Sequence, residues 1–190
     1  MKKILAFLIC FFGFLGVGFC APVQKGEDFE AIYDRLESAD FEYIFSLDPY
    51  QPEDYQKYIV SPYPLLRTGV EFVFKDTKIP PGYYLLTPRE KYGVQYVLFK
   101  QNGKVQYIIP TYKKELVDPG FYKMHVPAPE KTKTQKMADF GNKLVGKMAK
   151  QSKATPPPQA YIDVNQIGNE FWQVILYYGN DKYYMIFRQQ

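Results

Sequence analysis

Cysteine and histidine are scarce in this chain of 190 residues. It has two cysteines, Cys10 and Cys20, and one histidine, His125. This scarcity excludes most zinc sites, because they are built from clusters of cysteine and histidine. Both cysteines fall within the first twenty residues. A chain cut after Cys20 has no disulfide, and its stability must come from burial of a hydrophobic core.

Catalytic motifs are missing as well. The sequence has no GxSxG elbow, no HExxH helix, no P-loop and no DxDxDG calcium loop. The net charge of +4, from 24 basic and 20 acidic side chains, is too small to indicate a nucleic-acid partner. We therefore expect a protein that is not an enzyme and has no cofactor or metal. A hydrolase that works with two carboxylates stays open as an alternative.

The first twenty residues have the pattern of a secretory signal peptide. Lys2 and Lys3 precede an uncharged run over residues 4–19, and small residues stand where cleavage after Cys20 requires them. We expect an extracytoplasmic protein of a bacterium, periplasmic or secreted. An uncleaved N-terminal membrane anchor is the alternative, because this apolar run is about long enough to span a bilayer.

Residues 21–68 form an acidic, proline-rich part of the mature chain. Between residues 25 and 54, ten carboxylates stand against two basic side chains. Apolar residues at helical spacing predict an amphipathic helix from about Glu27 to Ser38. The stretch 48–64 holds four prolines and four tyrosines. It predicts no regular structure, and we expect it to wrap over the surface of the domain.

Residues 69–190 have the alternating pattern of β-strands. The pattern predicts a mainly β protein of the α+β class, with an antiparallel sheet or a small sandwich or barrel. Strands are predicted at Phe121–Val126 and, weakly, at Tyr161–Val164. The nearly apolar run Phe171–Tyr178 predicts a central strand in a C-terminal hairpin that completes the sheet begun at Gly69. We expect one β domain with a helical insertion at about 130–155.

The dipeptide Asn102–Gly103 predicts a type I′ hairpin, because both of its turn residues need a positive φ. A two-residue loop pairs Gln101 with Lys104. The same register places Leu98 opposite Tyr107.

A short internal sequence similarity relates residues 74–84 to residues 112–122. Both segments contain Lys, Pro-Gly and Tyr at matching positions. Two interpretations stay open. One is a duplicated β unit, and the other is two unrelated tight turns that use the same residues.

The most specific charged feature is the basic segment, residues 131–153. It holds seven lysines and one acid, for a net charge of +6. Apolar residues at helical spacing predict a helix whose polar side carries the candidate lysines Lys136, Lys143, Lys147 and Lys150. Such a helix suits an anionic membrane surface. The alternatives are an acidic partner, docking on the sheet, and pairing with the chain's own acidic helix.

The 18 tyrosines are the second candidate feature. Tyrosine is enriched at interfaces, where it brings contact area and a hydroxyl group. We expect exposed rings at the ends of the last hairpin, and a surface there for a protein or glycan partner, at Tyr177, Tyr178, Tyr183 and Tyr184. His125 is expected to be a surface residue of its strand.

These features together favour an exported, non-enzymatic, β-rich binding or structural module of the cell envelope. A peripheral membrane protein held by the basic segment is the first alternative. The carboxylate-dependent hydrolase is the second.

Overall fold

The computed structural model of the protein describes residues 27–58, 60–126 and 155–189. Within these ranges the chain forms two antiparallel sheets and three short helices. The predicted class is confirmed, because the fold is mainly β with few helices and its sheets do not close into a barrel. The basic segment 131–153, with all four of its candidate lysines, lies outside the described residues.

The helices are α1 (Phe29–Arg35), α2 (Gln51–Lys57) and α3 (Phe121–His125), and a 3₁₀ turn spans Ile44–Ser46. The strands are β1 (Leu65–Thr68), β2 (Phe72–Phe74), β3 (Thr77–Ile79), β4 (Gly82–Lys91), β5 (Val94–Gln101), β6 (Lys104–Pro110), β7 (Lys113–Leu116), β8 (Ala160–Ile167), β9 (Phe171–Tyr178) and β10 (Asp181–Arg188).

Sheet 1 has the strand order β1-β4-β5-β6, and sheet 2 has the order β3-β2-β10-β9-β8. One edge of β10 is shared between two strands. Residues 181–184 of β10 pair with β7, whereas Arg188 lies opposite Val73 of β2. The chain crosses between the two sheets after β1, after β3 and after β6, and only two residues separate β6 from β7.

The core lies between the two sheets. Phe99 on β5 meets Phe187 on β10 edge to face, with ring centroids 6.1 Å apart, and Phe187 stacks on Phe72 of β2 at 4.9 Å. Helix α1 adds Tyr33, whose ring contacts Phe74. Aromatic contacts of this kind combine large buried area with a preferred geometry. They join both sheets and α1 into one buried cluster.

The hairpin between β5 and β6 has the predicted turn. Asn102 and Gly103 adopt φ values of 51° and 76°, and Gln101 pairs with Lys104. The predicted pairing farther along the strands is wrong by one residue. Leu98 lies opposite Ile108, because the register shifts between Phe99 and Lys100. A bulge of this kind inserts one residue and cannot be deduced from the turn.

The N-terminal elements differ from their predictions. Helix α1 is shorter than predicted, because Asp28 caps its first turn and Leu36 is already extended. The stretch predicted to be irregular contains helix α2. Pro52 stands in the first turn of α2, where a missing N–H leaves no helical hydrogen bond unmade.

The predicted strand at Phe121–Val126 is wrong, because these residues form helix α3. Gly120, with a φ of 87°, turns the chain into the helix. Phe121 then stacks on Tyr177 of β9 with ring centroids 4.1 Å apart, so α3 covers part of the outer face of sheet 2. Short segments follow tertiary contacts more than local propensity.

The similarity between residues 74–84 and 112–122 does not reflect a shared structure. The first segment continues through β3 into β4, whereas the second continues from β7 into helix α3. The duplicated β unit is therefore wrong as an interpretation.

The C-terminal hairpin is confirmed. Strands β9 and β10 pair over eight residues, and β10 reaches β2, so the hairpin joins the strands that follow Gly69. Strand β8 is longer than the predicted Tyr161–Val164 and pairs with β9 over its whole length.

We predict that Gly103→Ala destabilises the protein by about 1–2 kcal/mol, because the turn holds this residue at a positive φ that disfavours any Cβ. Gly69→Ala is the matched control. No atom lies within 4 Å of its added Cβ, and its φ is outside the left-handed region. We expect Gly69→Ala to leave the free energy of unfolding unchanged or raised. If urea denaturation showed the same loss of unfolding free energy in both variants, the positive φ at Gly103 would be contradicted.

Candidate functional site

The part of the acidic N-terminal segment around Asp48 is attached to the outer face of sheet 1 by buried charges. Asp48 comes from this segment, Arg89 from β4 and Lys100 from β5. One carboxylate oxygen of Asp48 is 2.5 Å from Nζ of Lys100 and 2.7 Å from Nη2 of Arg89. The side chains of Asp48 and Lys100 are 0% and 1% exposed. This contact is therefore closed to solvent.

Asp54 and Tyr63 complete the cluster. Oδ2 of Asp54 lies 2.7 Å from Nη2 of Arg89, and the Tyr63 hydroxyl donates to the same oxygen at 2.7 Å. The ammonium group of Lys100 lies 4.5 Å from the centroid of the Tyr63 ring. We call these five side chains the ion network. Its two carboxylates balance its two cations, which is the condition for burying charge without a large penalty.

The network shifts the pKa values of its members. Burial alone would raise the pKa of Asp48, but the hydrogen bonds and charges of Arg89 and Lys100 outweigh it and hold this pKa below its usual range. Burial lowers the pKa of Lys100, and the bond to Asp48 opposes that shift. Burial and the hydrogen bond to Asp54 both raise the pKa of Tyr63.

No pattern in the sequence predicted the ion network. Lys100 ends a predicted strand, where a lysine is usually solvated, and Asp48 lies in a segment that offers no periodic pattern. One signal was present. Val97–Lys100 is buried at four successive positions, and the first three of these are apolar. A run of apolar residues on successive positions indicates a strand covered on both faces, which places Lys100 under the covering segment.

Immediately before Asp48, the chain presents an apolar tip to solvent. The apolar tip consists of Ile44, Phe45 and Leu47, which are 81%, 83% and 52% exposed. Three large apolar side chains within four positions form a cluster, whereas exposed apolar residues elsewhere are commonly isolated.

The backbone of the apolar tip is strained. Phe45 and Ser46 have φ values of 54° and 57°, in the left-handed region. This conformation costs a non-glycine residue about 1–2 kcal/mol. Such strain persists only where surrounding contacts impose it, and it is concentrated at functional sites. Asp48, two residues on, is the buried contact that can impose it here.

Acidic side chains flank the apolar tip along the chain. Four exposed acids of the same segment make no ion pair with any residue in the described ranges: Glu37, Asp40, Glu42 and Glu53. The segment that carries the apolar tip is therefore acidic on both sides of it in the sequence.

A cleft of about 290 Å³ opens beside the apolar tip. It lies between the acidic segment, which contributes Tyr43 and Ser46, and the strands β3 and β6, which contribute Thr77 and Gln106. Because β6 and β3 are edge strands of the two sheets, the cleft follows the open side of the sandwich.

The predicted tyrosine surface is only partly exposed. Tyr177 and Tyr183 are 9% and 6% exposed, so the expectation of exposed rings is wrong for both. Phe121 of α3 covers Tyr177, and Tyr183 belongs to the core. Tyr178 and Tyr184 are half-buried, and the Tyr184 hydroxyl donates to Glu115 at 2.8 Å. The four residues do not form one accessible surface.

His125 lies at the end of α3, where its ring stacks on Phe121 with centroids 4.1 Å apart. It is exposed, as expected, although on a helix and not on a strand.

Within residues 27–58, 60–126 and 155–189, no group of three or more His, Cys, Asp or Glu side chains is placed to hold a metal ion. In the same ranges, no helix has the length and apolar character needed to cross a bilayer. The chain matches no protein-family model, no curated protein and no solved structure.

We predict that Asp48→Asn destabilises the protein by about 3–5 kcal/mol, because it leaves Lys100 buried without a carboxylate. Lys100→Met should cost less, since Asp48 keeps its contact with Arg89. Combining the two substitutions should therefore restore part of the stability lost in Asp48→Asn. Urea denaturation of the three variants measures this.

Lys113→Met is the control for these three variants. It removes a lysine at the surface that pairs with Glu27 and Glu115. Exposed pairs contribute about 0–1 kcal/mol. Additive losses in the double variant Asp48→Asn, Lys100→Met would contradict a direct interaction between the two side chains.

We also predict a difference in acid stability. An unfolded aspartate titrates near pH 4, whereas the native pKa of Asp48 is lowered by Arg89 and Lys100. As the pH falls below about 4, the unfolded state binds the proton first, so stability is lost down to the native pKa. The slope of stability against pH in this range should be shallower in Asp48→Asn. Equal slopes in the two proteins would show that the native pKa of Asp48 is not lowered.

Proposed function

We propose that this chain is an exported, non-enzymatic binding module of the cell envelope that engages a protein partner through the apolar tip. One observation carries the proposal. Three apolar side chains are held in solvent on a strained loop, directly before a residue that is buried in an ion network. A loop with no role in binding gains nothing from this arrangement, since an asparagine at position 45 would lessen the backbone strain and remove the exposed aromatic ring.

The ion network supports this role by making the loop rigid. The contacts of Asp48 with Arg89 and Lys100 tie the end of the loop to the centre of sheet 1. A surface that is already held in its bound conformation loses less entropy on binding. The network therefore acts as an anchor for the binding surface.

The charges of the segment that carries the apolar tip indicate the partner's chemistry. Glu37, Asp40, Glu42 and Glu53 have no ion-pair partner in the described part of the chain. A partner with an apolar pocket and a basic rim would cover the tip and complement these carboxylates. An anionic lipid surface would instead be repelled by them. We therefore assign this surface to a cationic, apolar protein partner.

The geometry does not favour the carboxylate-dependent hydrolase. Asp48 and Asp54 do converge, because both lie 2.7 Å from Nη2 of Arg89. Asp48 is closed to solvent, and its acceptor oxygen is already occupied by Lys100 and Arg89. A water or substrate has no access to this carboxylate.

The proposal is tested with a short amphipathic peptide made of leucine and lysine, and with its leucine–glutamate counterpart as the matched probe of opposite charge. Fluorescence anisotropy should show saturable, salt-sensitive binding of the lysine peptide alone. Phe45→Asn should weaken it by about tenfold or more, because burial of a phenylalanine contributes about 1.5–3 kcal/mol. Asparagine tolerates a positive φ, so this variant should be at least as stable as the parent.

Met124→Asn is the control, since Met124 is an exposed apolar residue on α3. It should leave peptide binding unchanged. Equal binding of both peptides, or equal losses in Phe45→Asn and Met124→Asn, would overturn the assignment. Binding of the protein to phosphatidylglycerol vesicles that is weakened by Phe45→Asn would also overturn it and would favour a membrane surface at the tip.

A further inference from the structure

Strand β8 is the outermost strand of sheet 2. One of its edges pairs with β9 from Ala160 to Ile167. No strand in the described ranges pairs with its other edge. With eight residues, β8 is the longest edge strand in that part of the chain. An unpaired edge is a row of free donors and acceptors that can template another strand.

The hydrogen-bond pattern shows which backbone groups form this free edge. Gly179 N donates to Gln159 O at 2.8 Å, so these opposed residues form a hydrogen-bonded pair. Opposed residues in an antiparallel ladder alternate between bonded and non-bonded pairs. The odd-numbered residues of β8 therefore bond to β9. The N–H and C=O groups that point away from the sheet belong to Ala160, Ile162, Val164 and Gln166.

A second hydrogen bond supports this assignment. Gln189 N donates to Glu170 O at 2.8 Å, so the even-numbered residues of β9 bond to β10. The odd-numbered residues of β9 are then left to face β8. They lie opposite the odd-numbered residues of β8, in agreement with the first bond.

Strand β8 itself carries few of the residues that usually prevent pairing. Lysines, prolines and bulges are the common protections of edge strands. Strand β8 has no lysine or proline, its pairing with β9 has no register shift, and Asp163 is its one charged residue. The other edge strands are less suited to pairing, because β1 and β3 are short and β6 begins with Lys104.

We propose that β8 pairs with β8 of a second copy of this chain, antiparallel and centred on Val164. The two copies of sheet 2 would then form one continuous sheet across a twofold axis. This surface is separate from the apolar tip, so the proposal does not depend on the proposed function.

The polar residues of β8 select the register centred on Val164. In this register Asp163 lies opposite Asn165 of the second copy, in a non-bonded pair whose side chains approach closely. Asn165 Nδ2 already donates to Asp163 within the strand at 3.0 Å, and its second N–H can donate across the axis. A register centred on Asp163 would place the two carboxylates against each other, which is destabilising.

The first experiment measures the molar mass of the purified protein by sedimentation over a range of concentrations. We expect a dimer that dissociates on dilution. Val164→Pro should abolish it, because proline removes an outward N–H and leaves the bonds to β9 intact. A protein that stays monomeric at every concentration, with or without the substitution, would overturn the proposal.

A pair of variants at one position keeps the test independent of folding. Asn165→Asp places like charges across the axis and should raise the dimer Kd by roughly fivefold, whereas Asn165→Lys places opposite charges there and should lower it by a similar factor. If both substitutions changed the dimer Kd in the same direction, the proposed register would be overturned.

Hydrogen exchange gives a readout that another mode of dimerisation would not produce. The amides of Ile162, Val164 and Gln166 should exchange slowly in the dimer and rapidly on dilution. The amides of Asp163 and Asn165 should be protected in both states, because they bond to β9. A dimer without this alternation would be formed by another surface, and the proposal would be wrong.

Discussion

The attachment of the chain around the apolar tip to sheet 1 depends on the contact between Asp48, Arg89 and Lys100. These charges lie on the outer face of sheet 1. Without the covering segment, Leu98 would be exposed to solvent. The Tyr63 ring would also lose its contact with the ammonium group of Lys100. Because removal of one buried charge leaves its partner unpaired, the contact is far more costly to break than a surface ion pair. The segment is therefore held in one position on the sheet.

This attachment connects stability to binding. The segment that contributes Asp48 to the ion network also carries the apolar tip and four carboxylates that have no ion-pair partner in the described ranges. Sheet 1 provides the rigid support, and the strained backbone at Phe45 and Ser46 directs apolar side chains outward. Binding residues are commonly found on loops that a rigid scaffold positions. In sheet 2, no strand of the described ranges pairs with the outer edge of β8.

The two sheets also explain which predictions failed. Tyr177 and Tyr183 were expected at the surface because they end a hairpin, yet α3 and the core cover them. Phe121–His125 became a helix because Gly120 redirects the chain and Phe121 stacks on β9. The predicted pairing of Leu98 with Tyr107 was wrong because the register shifts between Phe99 and Lys100. Each error arose where a long-range contact outweighed the local pattern.

Local chemistry was enough to determine the mainly β class, the Asn102–Gly103 turn and the C-terminal hairpin, because alternation and positive-φ turns are properties of neighbouring residues. The ion network joins residues 48 and 100, and no local pattern relates positions so far apart. Only the tertiary structure decided that Lys100 is buried, that the apolar tip is exposed and that β8 is an edge. Burial depends on what the rest of the chain places against each residue.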